Sequence, residues 1–206
     1  MYNVYLASGL SINTSTQGNV LKPDIILEVN RILQRYFDKV VKAHDAMPNK
    51  KKKFGSASVQ WLAFTPTIQP NELLVYLLPL GSKIVKNKKL EVGSPPPGHD
   101  GLTVSYAGGK SAGSEVYDRF SNSAALIANL MFHEFMHNKL NLDNNSLHTR
   151  GGLAAATVGP NTQLTPENIR DMAAALDTDR PQWVDGLKLI SARSMMSDND
   201  PAKGIF

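Results

Sequence analysis

Hydrophobic residues recur at intervals of three and four along the stretch that follows Pro23. The stripe runs from Ile25 to Val41. Proline is favoured at the first position of a helix, because the N–H group that it lacks would have no intrahelical partner there. A stripe of this spacing gives a helix one apolar face, which it buries against a core. We therefore predict a long amphipathic helix that backs the domain.

Runs of apolar, aromatic and β-branched residues predict a β-sheet. The predicted strands cover residues 2–7, 58–64, 72–78, 102–107 and, as a short last strand, 115–120. The run at 72–78 is nearly continuous in apolar residues, which is typical of a central strand buried on both faces. Gly108, Gly109 and Gly113 predict a flexible tip before the last strand, and residues 81–89 give no clear signal.

Two further helices are predicted in the second half of the chain. One covers residues 121–140, with Ser121 or Ser123 as its N-cap. The other begins after Thr165, a capping residue that is followed directly by proline. The segment between these helices, residues 141–163, is rich in Asn, Gly and Thr and is predicted to form an irregular wall.

The order of these elements favours an α+β fold in a single domain over residues 1–206. Residues 1–120 would supply a mixed β-sheet and the backing helix, and residues 121–206 would supply a second helix against the sheet and a small, mainly helical C-terminal lobe. A chain of this length buries enough surface for one core.

The helix predicted over residues 121–140 carries the sequence HEFMH at 133–137, an H-E-x-x-H motif. Each residue of an α-helix advances by about 100°, so His133 and His137 lie one turn apart on the same face. Two imidazoles in that arrangement can bind one metal ion. Glu134 can reach a water molecule at the ion without being a ligand, and can act as a general base. We therefore predict a catalytic zinc site with one Zn²⁺ ion.

Composition and charge exclude several other kinds of function. The chain has no cysteine, so it forms neither disulfides nor a thiolate zinc site. Its net charge is +4, with the basic excess in the first half, where the run Lys50 to Lys53 is typical of a solvated loop. We predict no nucleic-acid partner. No stretch is long and apolar enough to predict a membrane span, and the N-terminus lacks the pattern of a signal peptide.

A catalytic zinc ion needs a third protein ligand, and two candidates follow the motif closely. Asp143 lies six residues beyond His137, which is the metzincin spacing. However, Leu140 occupies the position where metzincins turn on a glycine, so Asn141 would have to adopt that turn. His148 lies eleven residues beyond His137, in a predicted loop, and imidazole is a good zinc ligand.

The third candidate is Glu167, in the first turn of the last predicted helix. Together with Asp171 it forms an E-x-x-x-D pattern, which resembles the gluzincin pattern of thermolysin-like peptidases. In those enzymes the glutamate is the third ligand and the aspartate orients a ligating histidine. We favour Glu167 as the third ligand, with His148 and Asp143 as alternatives. If Glu167 binds the metal, His148 can act in catalysis by donating a hydrogen bond to the oxyanion that develops during hydrolysis.

The motif and the elements before it resemble zincin metallopeptidases. A longer match covers about residues 121–185 and resembles the metallopeptidase effector domains that are fused to type VI secretion spike proteins. Its matching segments are HEFMHNK at 133–139, LH at 147–148, GGLA at 151–154, LTP at 164–166 with NI at 168–169, and PQW at 181–183. The resemblance implies the two motif histidines and a downstream glutamate, best matched by Glu167, as metal ligands.

The same resemblance implies a biological setting. It predicts an antibacterial toxin that a secretion system exports and that acts in the periplasm of the target cell. Its partners would be a protein or peptide substrate, a secretion spike and a cognate immunity protein. By analogy with zincins, the strand predicted at 102–107 would pair with an extended substrate backbone.

The leading hypothesis is therefore a zinc-dependent metallopeptidase with Glu134 as its general base. Two alternatives stay open: a zincin-fold module that binds metal without turnover, and a metal-dependent hydrolase of a non-peptide substrate.

Overall fold

The elements are those of a computed structural model, which describes residues 1–8, 22–50, 52–62, 67–79, 82–86, 89–93, 100–106, 111–118 and 123–182. The strands are β1 (Tyr2–Ser8), β2 (Ala57–Trp61), β3 (Leu73–Pro79), β4 (Ser82–Lys86), β5 (Lys89–Gly93), β6 (Gly101–Tyr106) and β7 (Ser111–Asp118). The α-helices are α1 (Pro23–Ala46), α2 (Ala124–Leu140), α3 (Asn144–Leu147) and α4 (Pro166–Ala175). Short 3-10 turns lie at His148–Arg150 and Gly152–Ala154.

Five strands form one mixed sheet in the order β2-β1-β3-β7-β6. The first four strands in this order run parallel, and β6 pairs antiparallel with β7 at the edge. The predicted central strand, now β3, lies in the middle, and its residues 73–77 are at most 1% exposed. Strands β4 and β5 form a separate antiparallel pair, and β4 lies in residues 81–89, for which we predicted no element.

Helices α1 and α2 both contact the sheet and each other. Phe37 of α1 lies between them, with its ring centroid 6.3 Å from Tyr2 of β1 and 5.4 and 5.6 Å from Phe132 and Phe135 of α2. Full burial of such a side chain contributes about 1.5–3 kcal/mol relative to exposure. The predicted backing helix is confirmed, and its apolar stripe fixes α2 against the sheet.

Helix α2 is buried on almost every side, with residues 127–139 all buried. Ser123 is its N-cap, and the Ser123 side chain accepts a hydrogen bond from Leu126 N at 3.3 Å. The helix ends at Asn141, whose φ of 54° and ψ of 44° are left-handed. Asparagine tolerates that conformation better than most residues with a Cβ, so the chain can reverse there without glycine.

The part after α2 is mainly helical, in agreement with the predicted lobe, and α4 packs on α1 and α2. Thr165 forms a reciprocal capping box with Asn168, which explains the predicted start of α4. Residues from Trp183 onward lie outside the described part, as do residues 94–99 and Ser121.

Strand β7 differs from its prediction, because it begins at Ser111 rather than at residue 115. Gly113, which we expected in a flexible tip, pairs with Val104 in the ladder between β6 and β7. This pairing with β6 offsets the conformational freedom of glycine in a strand. None of the helices in the described ranges is long and apolar enough to cross a membrane.

Candidate metal centre

The motif residues lie on the side of α2 that opens toward the start of β6. His133, Glu134 and His137 are 7%, 4% and 8% exposed, so the protein surrounds them with only a narrow opening. After the reversal at Asn141, Asp143 caps α3 by accepting a hydrogen bond from Ser146 N at 2.8 Å. This short helix directs the chain back toward α2.

The reversal brings a third histidine to the motif. His137 Nε2 is 3.1 Å from His133 Nε2 and 3.2 Å from His148 Nε2. The ring centroids of the three histidines are 4.7–5.3 Å apart. These three residues therefore lie close enough to bind one metal ion.

The hydrogen bonds of the two motif histidines determine which ring nitrogen carries the proton. His133 Nδ1 is 2.8 Å from the carbonyl oxygen of Leu153, and His137 Nδ1 is 2.9 Å from that of Leu142. Carbonyl oxygens only accept hydrogen bonds, so both Nδ1 atoms donate. In a neutral imidazole the Nε2 atom then carries a lone pair.

Two such Nε2 atoms at 3.1 Å cannot hydrogen-bond to each other, and a cation between the rings would relieve the repulsion of their lone pairs. A proton on His137 is disfavoured, because burial lowers the pKa of this histidine. The Leu142 carbonyl raises that pKa and nearby His148 lowers it further. A metal ion removes the conflict without an additional proton.

The donor set agrees with a tetrahedral site. Zinc–imidazole bonds of about 2.0–2.1 Å place two nitrogens of a tetrahedral site about 3.3–3.4 Å apart. The Nε2 separations of His137 from His133 and from His148, 3.1 and 3.2 Å, lie close to that value. Three protein ligands leave the fourth position for a water molecule or a substrate, which is the pattern of catalytic sites.

Glu134 lies next to this cluster and outside the ligand group. The Thr103 hydroxyl on β6 donates to its Oε2 atom at 2.7 Å. Burial raises the pKa of Glu134, the hydrogen bond from Thr103 lowers it, and the charge of nearby Glu115 raises it. The net result is a pKa of about 8. A divalent cation beside the carboxylate would favour the ionised form that a base requires.

Gly101 at the start of β6 permits the close approach of this strand to α2. A Cβ atom at this position would lie 2.3 Å from Oε1 of Glu134 and 2.8 Å from its Cδ and Cγ atoms. Any side chain at residue 101 would therefore displace the glutamate. The absence of a side chain here allows Glu134 to occupy its position beside the histidines.

The histidines and Glu134 line one cleft of about 140 Å³. Its wall also includes Leu130 of α2, the start of β6 and the loop after the second 3-10 turn. The remaining lining residues are Asp100, Gly101, Thr103, Asn144, Ala156, Thr157 and Val158. The lining combines the apolar residues Leu130, Ala156 and Val158 with several polar side chains, as is usual in ligand-binding clefts.

Our preferred third ligand, Glu167, lies elsewhere. It is on the outer side of α4 with 49% of its side chain exposed, near Arg170 at 3.9 Å, and is absent from both the histidine cluster and the cleft wall. Asp171 pairs with Arg150 at 2.5 Å and contacts no ligating histidine in the described contacts. The structure thus brings His148, the sequence-based alternative, and not Glu167, within reach of the two motif histidines. In this position His148 could be a metal ligand, and its alternative role as an oxyanion donor stays a prediction.

Asp143 and His44 also lie outside the histidine cluster. Asp143 serves as the N-cap of α3 and is not in the ligand group. His44, which we expected to be uninvolved, is buried at the end of α1, where its Nδ1 atom is 2.9 Å from Asp45 Oδ1. His99 lies outside the described residues.

Sequence reasoning missed the role of Asn168. Its Oδ1 atom accepts a hydrogen bond from Leu153 N at 2.8 Å, and its Nδ2 atom donates to Gly151 O at 3.1 Å. These bonds fix the turn whose Leu153 carbonyl accepts from His133. The Thr165-Pro166 start of α4 could have identified Asn168, because the N-cap residue of a capping box pairs with the third residue of the helix. No sequence signal identified Thr103, whose contact depends on sheet pairing.

Comparisons of the chain with protein-family models, with curated proteins and with solved structures found no match. The functional interpretation therefore depends on the geometry of this cleft and on the motif within it.

Proposed function

We propose that the protein is a zinc-dependent metallopeptidase. The observation that carries this proposal is the position of Glu134, a buried carboxylate, directly beside three histidines whose Nε2 atoms converge in one cleft. A set of three histidines with a fourth open position is a known type of catalytic zinc site. When bound, zinc supplies Lewis-acid polarisation of a carbonyl group and activation of a water molecule.

The side chains of the cleft have separate tasks in this reaction. The histidines hold the metal, and the two carbonyl oxygens that accept from His133 and His137 keep their rings in the ligating tautomer. Glu134 accepts the proton of the attacking water. It then transfers that proton to the amine that leaves.

The sheet favours a peptide as the substrate. Strand β6 is at the edge of the sheet, and within the described ranges it pairs with β7 alone. Its first residues also line the cleft, so an extended chain paired with this edge would pass the metal site. The edge strand therefore supports a peptide over a small molecule.

We expect Glu134→Gln to abolish cleavage and to leave metal binding intact, because glutamine keeps the shape of the side chain but cannot take a proton. The measurements are zinc content by elemental analysis and hydrolysis of fluorescein-labelled casein, an unstructured substrate. Loss of a general base typically lowers the rate about 10²–10⁴-fold. Glu167→Gln, which changes an exposed glutamate outside the cleft, is the matched control and should cleave normally.

Other outcomes would favour the alternatives. A wild-type protein that binds one zinc ion and cleaves no casein would support a binding module without turnover. Cleavage of ester or amide compounds without cleavage of casein would support a hydrolase of non-peptide substrates.

The role of a secreted antibacterial effector is proposed from the resemblance of residues 121–185 alone. The same pair of proteins tests it: periplasmic expression of the wild type should inhibit bacterial growth, whereas Glu134→Gln should not. Equal growth of both strains would argue against a periplasmic target.

A further inference from the structure

A continuous network of hydrogen bonds between buried polar side chains leads from Gln182, at the end of the described C-terminal segment, to Glu134. Gln182 and Asn138 exchange two hydrogen bonds, of 2.9 and 3.2 Å. Asn138 Nδ2 also donates to Ser114 Oγ at 2.8 Å, and Ser114 Oγ is 3.1 Å from the Thr103 hydroxyl. Ser114 and Asn138 are fully buried, and Gln182 is 9% exposed. This hydrogen-bond network ends at the carboxylate of Glu134, the proposed base.

The two side-chain amides at the start of this network, Gln182 and Asn138, have only one orientation that satisfies their hydrogen bonds. Gln182 Oε1 lies 3.3 Å from Leu74 N and so must be the acceptor end of that amide. Gln182 Nε2 accordingly donates to Arg180 O at 2.6 Å and to Asn138 Oδ1. Asn138 Nδ2 is thereby the group that faces Ser114, and it always supplies a proton there.

The same donor direction continues through the hydroxyl groups of Ser114 and Thr103. Because Ser114 Oγ accepts from Asn138, its own proton is directed to Thr103 Oγ1 at 3.1 Å or to the backbone oxygen of Glu134 at 3.4 Å. Thr103 is 2.7 Å from Glu134 Oε2 and 3.0 Å from the backbone oxygen of the same residue. A threonine hydroxyl has a single proton, and the shorter bond, to a carboxylate, is the stronger one.

We propose that Thr103 is a positioning residue for the proposed peptidase reaction, and that its hydroxyl, oriented by Ser114, Asn138 and Gln182, fixes one carboxylate oxygen of Glu134. This inference rests on the proposed function for its effect on catalysis. With Oε2 fixed, Oε1 is the atom that faces Gly101 at the cleft wall and remains to accept the proton.

The threonine side chain suits a direct test because valine has the same shape without the hydroxyl group. In the zinc-loaded full chain, Thr103→Val should lower kcat for fluorescein-labelled casein about 100-fold, which is the typical cost of a small misplacement of a reacting group. KM and zinc content should stay unchanged. Thr103→Ser keeps the hydroxyl group and should restore most of kcat.

Thr178→Val provides a matched control. Thr178 is exposed and lies outside the cleft wall, and none of the hydrogen bonds found in the described part of the chain involves its side chain. The same substitution should therefore leave kcat within about two-fold of the wild type, since surface changes without such contacts have small effects. An equal loss in both valine variants would overturn the proposal, because the loss would then not depend on the contact with Glu134.

A crystallographic measurement separates this inference from the proposed function. In zinc-loaded crystals, Glu134 should adopt one conformer in the wild type and in Thr103→Ser, and several in Thr103→Val. A single unchanged conformer in the valine variant would overturn the positioning role, whatever the activity. If the wild type cleaves no casein but the conformers differ as expected, the proposed function fails and the positioning of Glu134 stands.

Discussion

Two opposing effects set the protonation of Glu134. Burial in the cleft raises its pKa and the hydrogen bond from Thr103 lowers it, with a net value of about 8. A bound divalent cation would act in the same direction as Thr103. Metal binding would therefore favour the ionised form that the proposed base requires.

The third ligand provides a prediction at the level of single residues. Loss of a group that hydrogen-bonds to a metal ligand typically weakens metal binding about 10–100-fold. His148→Ala removes a proposed ligand itself, so it should weaken zinc binding by more than that. Glu167→Ala should bind zinc like the wild type, since this glutamate is half-exposed and outside the cluster. Competition titration with a chromogenic zinc chelator measures both affinities.

The opposite result would reinstate the sequence-based assignment. If Glu167→Ala released zinc and His148→Ala retained it, the arrangement of histidines described above would not be the metal site.

The sequence alone could identify the two motif histidines but could not choose among the three candidates for the third ligand. All three are chemically acceptable. The choice depends on the path of the chain after His137, which is determined by the left-handed Asn141 and by the Asp143 cap on α3. A four-residue helix leaves too short a periodic pattern to be predicted.

At the scale of secondary structure, the long elements were predictable and the short ones were not. Helices α1, α2 and α4 have caps or long apolar stripes, and β3 has a continuous apolar run. Strands β4 and β5 lacked a signal because each holds only two apolar residues, with charged residues beside them. The start of β7 was missed because its pairing with β6 overrides the preference of glycine for turns.

Helix α4 offers a prediction at this scale. Although its Glu167 is not in the site, its Asn168 holds the turn that contains Leu153. Asn168→Ala should weaken zinc binding about 10–100-fold, because the Leu153 carbonyl would no longer be fixed opposite His133. The same chelator competition checks this, with Asn161→Ala, an exposed asparagine outside the cleft wall, as the control.

A normal zinc affinity in Asn168→Ala, together with a lowered stability, would mean that Asn168 acts only as part of the helix cap.

At the scale of the whole molecule, Asp45 joins the end of α1 to the chain that enters β2. Its carboxylate accepts hydrogen bonds from Phe54 N at 3.0 Å and Gly55 N at 2.7 Å, and contacts the His44 ring. Burial alone would raise the pKa of Asp45, but the His44 ring and the two backbone donors lower it, with the net result that it lies below the ordinary value of 3.8.

This depressed pKa predicts a dependence of stability on pH. The unfolded chain takes up a proton on Asp45 at a higher pH than the folded chain does, so the ionised carboxylate stabilises the fold above about pH 4 and this contribution is lost as the pH falls through the folded pKa. Asp45→Asn should lower the free energy of unfolding by about 1 kcal/mol at pH 7 and by much less at pH 3. Urea denaturation at both pH values measures the difference.

Asp38→Asn, on the exposed side of α1, is the control and should have little effect at either pH. An Asp45→Asn deficit that stays constant between pH 7 and pH 3 would contradict the role of the carboxylate charge.

The reversal at Asn141 keeps the residues of the proposed metal site within one short stretch of chain. The three histidines and the carbonyl oxygens that orient His133 and His137 all lie between residues 133 and 153, and Asn168, which holds the turn of Leu153, follows soon after. Glu134, in contrast, is held by Thr103 and, through it, by residues of β7 and by Gln182, which are far apart in sequence. We therefore expect a graft of residues 133–168 onto another helical scaffold to transfer metal binding without the proposed hydrolysis.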